Sequence, residues 1–174
     1  ERAEMKAINV GLLGIGTGGG GTFTVLKRNA EEIARRAGRP INIVVVADKN
    51  LELARKVTGG DCRLTDDAFA VVSDPAVDIV VELIGGYGVA KELVLKAIEN
   101  GKHVVTANKA LLATHGNEIF AAAHKKGVMV AFEAAVAGGI PIIKALREGL
   151  TANRIEWIAG IINGTNNFIS SEKH

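Results

Sequence analysis

The chain is poor in the residues that several classes of protein depend on. Its 174 residues include a single cysteine, Cys62, which excludes an internal disulfide framework and favours a reducing, cytoplasmic setting. Aromatic residues make up 4% of the chain, and the net charge is +2, so neither a nucleic acid nor a membrane surface is indicated as a partner. The charged start of the chain does not resemble a signal peptide. No apolar run approaches the roughly 20 residues that a membrane-spanning helix needs.

The residues that are present favour a packed α/β domain. Hydrophobic residues make up 48% of the chain and charged residues 23%, as in ordinary globular proteins. Apolar, β-branched runs alternate with amphipathic segments of helical period. The predicted strands are 8–13, 41–47, 77–84, 103–107, 128–134 and 154–162, and the predicted helices are 23–37, 51–57, 89–100, 109–126, with a break near Gly116, and 141–149.

This alternation predicts a Rossmann-type, doubly wound and mostly parallel sheet with helices on both faces, over residues 7–150. Residues 151–174 read as the beginning of a second region. Because so few residues cannot bury a core of their own, we expect the chain to be part of a longer protein.

The strongest local pattern is a glycine turn between the first strand and the first helix. The strand Ile8 to Leu13 runs into Gly14-x-Gly16-x-x-Gly19, and a helical pattern follows. Glycines permit a tight turn, a close approach of backbone to phosphate, and close packing of helix on strand. The start of the helix offers free N–H groups to an anion. The pattern predicts a dinucleotide pyrophosphate site, although glycine turns without a ligand also exist.

Two charged residues follow the second strand. Asp48 stands where this fold places the carboxylate that accepts hydrogen bonds from the adenine ribose, 29 residues after Gly19. The alternative is that Asp48 caps the next helix. Lys49 is a cation that can pair with a 2′-phosphate, so NADP and NAD both remain open.

Two further strand ends carry candidate residues. Gly85 and Gly86 follow the strand that contains Glu82, and they would let a ribose or nicotinamide lie against the backbone, although a simple turn is the alternative. We expect the buried Glu82 carboxylate to accept hydrogen bonds from loop N–H groups rather than to act in catalysis. Thr106 and Lys109 close the next strand, where an ammonium can orient substrate or carry a proton, although a solvated surface lysine is the alternative.

Other reactive side chains show no recognisable arrangement. The four histidines, His103, His115, His124 and His174, have no metal-ligand spacing. Cys62 has no second cysteine near it and no nucleophile pattern around it. The small residues between Glu133 and Pro141 allow tight turns whose carbonyl groups could surround a cation, but nothing in the composition requires one.

Five segments together resemble the homoserine dehydrogenase family, in order and in spacing: GLLGIGTGGGG, DIVVELIGG, GKHVVTANKALL, FEAAVAGGIPII and GIINGTNNFI. The resemblance covers roughly residues 7 to 170. It implies an NAD(P)-dependent oxidoreductase that interconverts L-homoserine and L-aspartate 4-semialdehyde in threonine and methionine biosynthesis. It also implies a homodimer or homotetramer for the full-length protein, with residues 151–174 beginning its substrate and dimerisation region.

The resemblance assigns roles to particular positions. Lys109 would be the catalytic lysine beside the nicotinamide and the substrate. It places the cofactor against Gly14, Ile15, Gly16, Thr17, Gly18, Gly19, Ile84, Gly85, Gly86 and Lys109, and the strand-end residues Asp48, Lys49 and Thr106 complete the predicted cofactor contacts. A sodium ion would be bound at Glu133, Val136, Gly138 and Ile140, mostly through carbonyl oxygens, and Gly164 and Thr165 would lie at the substrate region.

The chain departs from the family pattern at three positions. Gly18 stands where the family usually has Val, Asn166 where it often has Thr, and Phe168 where it often has Tyr. The family's acidic substrate residues and a second lysine would lie beyond residue 174, so we expect the chain alone to bind dinucleotide with little turnover. The alternatives are a non-catalytic dinucleotide sensor and another two-domain dehydrogenase, such as aspartate-semialdehyde dehydrogenase, which needs a cysteine nucleophile.

Overall fold

The strands form one parallel sheet. The computed structural model describes residues 7–15, 23–24, 27–28, 31, 40–85 and 88–132. Within these residues the sheet has six strands in the order β3-β2-β1-β4-β5-β6, and every adjacent pair is parallel. The strands are β1 (Ile8–Leu13), β2 (Ile41–Ala47), β3 (Arg63–Thr65), β4 (Ile79–Glu82), β5 (His103–Thr106) and β6 (Val130–Phe132). This is the strand order of a Rossmann fold. The chain adds strands on one side of β1 up to β3 and then on the other side from β4 onward, so the order of strands reverses between β1 and β4.

Four helices are complete within the described residues: α1 (Leu51–Thr58), α2 (Ala68–Val72), α3 (Gly88–Glu99) and α4 (Lys109–Lys126). Asparagine or aspartate side chains cap α1, α2 and α4, where Asn50, Asp67 and Asn108 accept hydrogen bonds from N–H groups of the first turn. Gly59 and Gly127 end α1 and α4 in the left-handed conformation.

The longest apolar runs were predicted well. The bounds of β1 and β2 agree with the prediction, β4 and β5 are shorter than predicted, and β6 begins two residues later than predicted. The helix α4 contains a non-helical residue, His115, next to the predicted break at Gly116. In the predicted first helix the described residues, Phe23, Thr24, Lys27, Arg28 and Glu31, are helical. The predicted elements 141–149 and 154–162 lie outside the described residues.

Two elements were missed. The edge strand β3 has only three residues, exposed or half-buried, so it lacks the apolar run by which buried strands are recognised. The five-residue helix α2 is too short to show a helical period. It packs tightly on β1, because a Cβ atom on Gly11 would lie 2.7 Å from Cγ1 of Val71. Gly11 is therefore a packing glycine inside the strand.

The core lies on both faces of the sheet, as the alternation of side chains along each strand requires. On β1, Ile8, Val10 and Leu12 belong to one cluster, which α1 covers with Ala54. The other cluster contains Val80 and Val104 together with the buried residues of α2, α3 and α4. Since both faces are covered, the strand ends are the places where polar groups reach the surface.

At the amino edge of the sheet, polar side chains fix the loop before β4. The Lys102 side chain is almost fully buried, and its Nζ donates to the carbonyl groups of Asp74 (2.7 Å) and Val77 (2.8 Å). Burial lowers the pKa of Lys102, and the nearby Asp74 and Asp78 oppose that shift. The Asp74 carboxylate accepts from the Ala76 N–H at 2.8 Å and from Arg63 at 2.6 Å. These contacts join β3, the residue before β5 and the loop before β4.

Replacing Lys102 by Met is expected to lower the free energy of unfolding by about 1–3 kcal/mol, because the two carbonyl groups lose their donor. Urea denaturation followed by circular dichroism measures the change. The matched control is Lys125→Met at an exposed position of α4, which should change stability by less than about 0.5 kcal/mol. Equal stability of the two variants would contradict this role of Lys102.

Replacing Asp74 by Asn is expected to make the free energy of unfolding depend less on pH in the acid range. The Ala76 N–H, and then Arg63, lower the pKa of Asp74 below 3.8. A carboxylate with a lowered folded-state pKa stabilises the fold above its unfolded value, and this stabilisation is lost as the pH falls through the folded value. The parent should therefore be more stable than Asp74→Asn at pH 7, and the gap should narrow below pH 3.8. Denaturation midpoints at several pH values measure the gap, and a constant gap would refute the argument.

Candidate dinucleotide-binding site

The carboxyl ends of β1 to β4 surround a cleft of about 450 Å³. It lies where the strand order reverses between β1 and β4, which is the place where open α/β sheets bind ligands. The residues that line it come from the ends of four strands and from the starts of α2 and α3: Gly14, Ile15, Ala47, Asp48, Lys49, Asp66, Asp67, Ala68, Phe69, Leu83, Ile84, Val89 and Leu93.

Gly14 makes the turn that leaves β1. Its φ of +90° is a conformation that side chains with a Cβ rarely adopt, and its N–H donates to the Ala47 carbonyl at 2.6 Å. The turn therefore starts at the first glycine of the predicted motif. Gly16, Thr17, Gly18 and Gly19 lie outside the described residues, so the phosphate-binding part of the loop stays a prediction.

Asp48 ties the turn after β1 to the end of β2. One carboxylate oxygen accepts from the Ile15 N–H at 3.1 Å, and the other accepts from the Asn50 N–H at 2.8 Å. The capping alternative for Asp48 is wrong, since Asn50 caps α1 by accepting from the Leu53 N–H. A carboxylate has about four acceptor positions, so Asp48 can still accept from ribose hydroxyls at the cleft wall.

The cleft also exposes apolar side chains. Phe69, Ile84 and Val89 are 38%, 40% and 47% exposed, and all three line it. A contiguous exposed apolar surface with a few polar groups is typical of a ligand site. Sequence reasoning missed Phe69 and Val89. Asp67 directly precedes an apolar run, as a helix cap does, which indicates the start of α2 but not the exposure of Phe69.

The charge at the cleft is mixed. Asp66 and Asp67 stand after β3, next to the predicted pair Asp48 and Lys49. Lys49 is exposed at the rim, as a contact to a ligand phosphate requires. Asp67 already accepts from the Phe69 N–H as the cap of α2. The carboxylates suit ribose hydroxyls, and the ammonium suits a phosphate.

Glu82 lies beneath the loop that follows β4 and is completely buried. One of its carboxylate oxygens accepts from the N–H groups of Ile84 (2.9 Å) and Gly85 (3.0 Å), as the sequence predicted. Gly85 has a φ of +85°, so the loop turns sharply at a position that favours glycine. Gly86 lies outside the described residues.

Thr106 is the last residue of β5. Its side chain is fully buried and does not line the cleft. The hydroxyl donates to Glu82 and accepts from the Asn108 N–H at 3.0 Å. The Thr106 side chain thus belongs to a buried network, where register pairs it with Glu82. A contact between Thr106 and a cofactor stays a prediction.

Lys109 is the first residue of α4, at the carboxyl end of β5, and it is exposed. It does not line the cleft of about 450 Å³ but lies beyond it, past β4. An ammonium at the positive end of a helix dipole is unfavourable by about 0.3–1 kcal/mol. Helix stability therefore does not account for a lysine at this position.

Cys62 does not fit a catalytic nucleophile. It precedes β3, at the amino end of the sheet, and burial raises the pKa of its thiol. An activated cysteine needs a lowered pKa and access to substrate. The structure therefore gives no support to the alternative of a dehydrogenase with a cysteine nucleophile.

Several predicted positions lie outside the described residues: the cation set Glu133, Val136, Gly138 and Ile140, and the substrate positions Gly164 and Thr165. Among the residues that the structure does describe, no group of acidic, histidine and cysteine side chains could hold a metal ion. In the same part of the chain, no helix combines the length and the apolar character of a membrane span.

The family models agree with the geometry of the cleft. A model described as the NAD binding domain of homoserine dehydrogenase matches residues 14–133, and one described as homoserine dehydrogenase matches residues 141–174. The first match contains the carboxyl ends of five strands, β2 to β6, and begins one residue after β1 ends at Leu13.

Curated relatives and solved structures point to the same family. Homoserine dehydrogenases of Methylobacillus glycogenes and Pseudomonas aeruginosa are 70% and 67% identical to this chain, over 97% of its length. The chain spans only 41% and 38% of their lengths. A homoserine dehydrogenase structure from Thiobacillus denitrificans has a TM-score of 0.72 at 70% identity, covering 86% of this chain and 34% of that one. One from S. aureus has a TM-score of 0.68 at 36% identity, covering 78% and 34%. By the match over residues 14–133 and by these identities, the chain belongs to the homoserine dehydrogenase family.

Proposed function

We propose that this chain is the dinucleotide-binding part of an enzyme that interconverts L-homoserine and L-aspartate 4-semialdehyde with NAD or NADP. The observation that carries the proposal is the cleft at the reversal point of the sheet, where Gly14, Asp48 and Ile84 meet. Family membership adds the substrate pair, which comes from the resemblance and from the names of the relatives.

The described residues fit a dinucleotide. The turn at Gly14 would direct the following glycines toward the pyrophosphate, and Asp48 would accept hydrogen bonds from the adenine ribose. The exposed apolar surface at Phe69 would take the adenine ring. The loop at Gly85 would lie against the nicotinamide ribose, and Lys109 would face the reacting end. When bound, the nicotinamide supplies or accepts the hydride, and the protein contributes binding, orientation and electrostatics.

Family membership supports the remaining parts of the proposal. Residues 7–150 would form the cofactor domain, and residues 151–174 would begin the substrate and dimerisation region, with Gly164 and Thr165 near the substrate. A sodium ion at Glu133, Val136, Gly138 and Ile140 and a homodimer or homotetramer remain parts of the proposal that rest on the resemblance alone. A cytoplasmic location would suit a biosynthetic enzyme.

Lys49→Ala is expected to separate the two cofactors. If the Lys49 ammonium pairs with the 2′-phosphate, the variant should raise the Kd for NADPH about 3- to 10-fold and that for NADH less than about 2-fold. Titration followed by nicotinamide fluorescence measures both constants. The control, Lys56→Ala, removes an exposed lysine of α1 that does not line the cleft. An equal change for both dinucleotides would show that Lys49 does not read the 2′ position.

Lys109→Ala in the full-length protein is expected to lower kcat for homoserine oxidation by about 100-fold or more, the scale of a lost acid–base or orienting group. The Kd for dinucleotide should change much less, because Lys109 lies outside the cleft. Lys125→Ala, an exposed lysine at the other end of α4, is the control. A variant that folds, binds dinucleotide and keeps its rate would show that Lys109 is not the catalytic residue, whereas a parent protein that binds dinucleotide but does not oxidise homoserine would favour the dinucleotide-sensing alternative.

A further inference from the structure

We propose that Glu82 and Thr106 are positioning residues that couple the loop after β4 to the start of α4. This buried pair would fix the distance between the loop after β4, on the cofactor side of the site, and Lys109. The coupling itself is a property of the described structure. Its catalytic consequence rests on the proposed function.

On the loop side, Glu82 holds two consecutive amides with one oxygen, Oε2. The Ile84 N–H lies at 2.9 Å from it and the Gly85 N–H at 3.0 Å. Ile84 lines the cleft and is 40% exposed, so it presents its side chain outward while its backbone is held from below. The path of this loop therefore depends on where the Glu82 carboxylate is.

On the helix side, the parallel register places Thr106 directly beside Glu82. The Thr106 hydroxyl donates to Oε1 of Glu82 and accepts from the Asn108 N–H at 3.0 Å. Asn108 in turn caps α4, because its Oδ1 accepts from the Leu111 N–H at 2.9 Å. Lys109 is the next residue. Three hydrogen bonds thus lead from Glu82 to the first turn of the helix that carries Lys109.

The chemistry of the pair argues against a role in packing alone. Glu82 and Thr106 are both 0% exposed, and they share a sheet face with Val80 and Val104. Apolar side chains would fill that face without the cost of removing a carboxylate from water. The carboxylate accepts from two amides and a hydroxyl, so its two oxygens serve two different segments. Such a bidentate acceptor fixes the distance between the loop and the helix, which an apolar pair does not do.

The test compares Thr106→Val with Thr106→Ser in the full-length protein. Valine keeps the shape and removes the hydroxyl, whereas serine keeps the hydroxyl. Thr106→Val should speed hydrogen exchange of the amides of 108–111 about 10-fold or more and leave those of Ile84 and Gly85 within about 2-fold. It should lower kcat about 10-fold with little change in the dinucleotide Kd, because a displaced reacting group lowers the rate rather than the binding. Thr106→Ser should restore both readouts to within about 2-fold.

Glu82→Gln tests the other half of the coupling. Glutamine has one amide oxygen where Glu82 has two carboxylate oxygens, so its NH2 group faces either the two loop amides, which can only donate, or the Thr106 hydroxyl, which would have to turn and accept. Exchange should accelerate at Ile84 and Gly85 or at 108–111, and the dinucleotide Kd should rise together with a fall in kcat. Val105→Ala, a buried truncation on the opposite face of β5, is the control for general loss of stability. If Thr106→Val does not fold, Thr106→Ala replaces it in the same comparison.

Two results would overturn the proposal. One is unchanged exchange at 108–111 in Thr106→Val. The other is a pattern in which Thr106→Val and Val105→Ala accelerate exchange alike over all segments, since that is what lost packing produces. Failure of the proposed function has a different signature. The parent would then show no homoserine oxidation, while the exchange data would still report whether the loop and the helix are coupled.

Discussion

The structure depends on a parallel sheet that is buried on both faces. A strand in such a sheet can carry few polar side chains along its length, so polar chemistry is confined to the two edges where strands begin and end. Because all six described strands run in the same direction, each edge collects one kind of strand end. The amino and carboxyl edges can therefore serve different purposes, and in this chain they do.

At the amino edge, polar side chains satisfy backbone groups and each other. Lys102 is buried on two carbonyl groups, and Asp74 is bound by Arg63 and by a backbone N–H. At the carboxyl edge, the polar groups of Asp48 and Glu82 bind the loops, while apolar side chains such as Phe69 are exposed. Ordered loops and exposed apolar surface, as at the carboxyl edge, are typical of a ligand-binding site. The polar contacts at the amino edge stabilise the fold.

The number of residues in each element determines whether that element could be predicted from the sequence. The apolar runs of β1 and β2 are long enough to be recognised as buried strands, and the glycine turn after β1 indicates the position of the cleft. The strand β3 and the helix α2 could not be found in this way, because three and five residues are too few to show a period. They nevertheless supply Asp66 and Phe69 to the cleft. The cleft was thus predicted at its β1, β2 and β4 sides and missed at its β3 side.

Thr106 shows which part of the candidate site depends on the register between strands. From the sequence, Thr106 and Lys109 are near neighbours at one strand end, and both were expected at the cofactor. The register of β4 and β5 sets Thr106 beside Glu82 in a fully buried position, and Lys109 is exposed on the helix that follows. Register depends on every residue of both strands and on the helices that cover them. A residue's type and its place along the chain therefore identify the edge at which it acts. The register between neighbouring strands determines whether that residue touches a ligand itself or holds another residue that touches it.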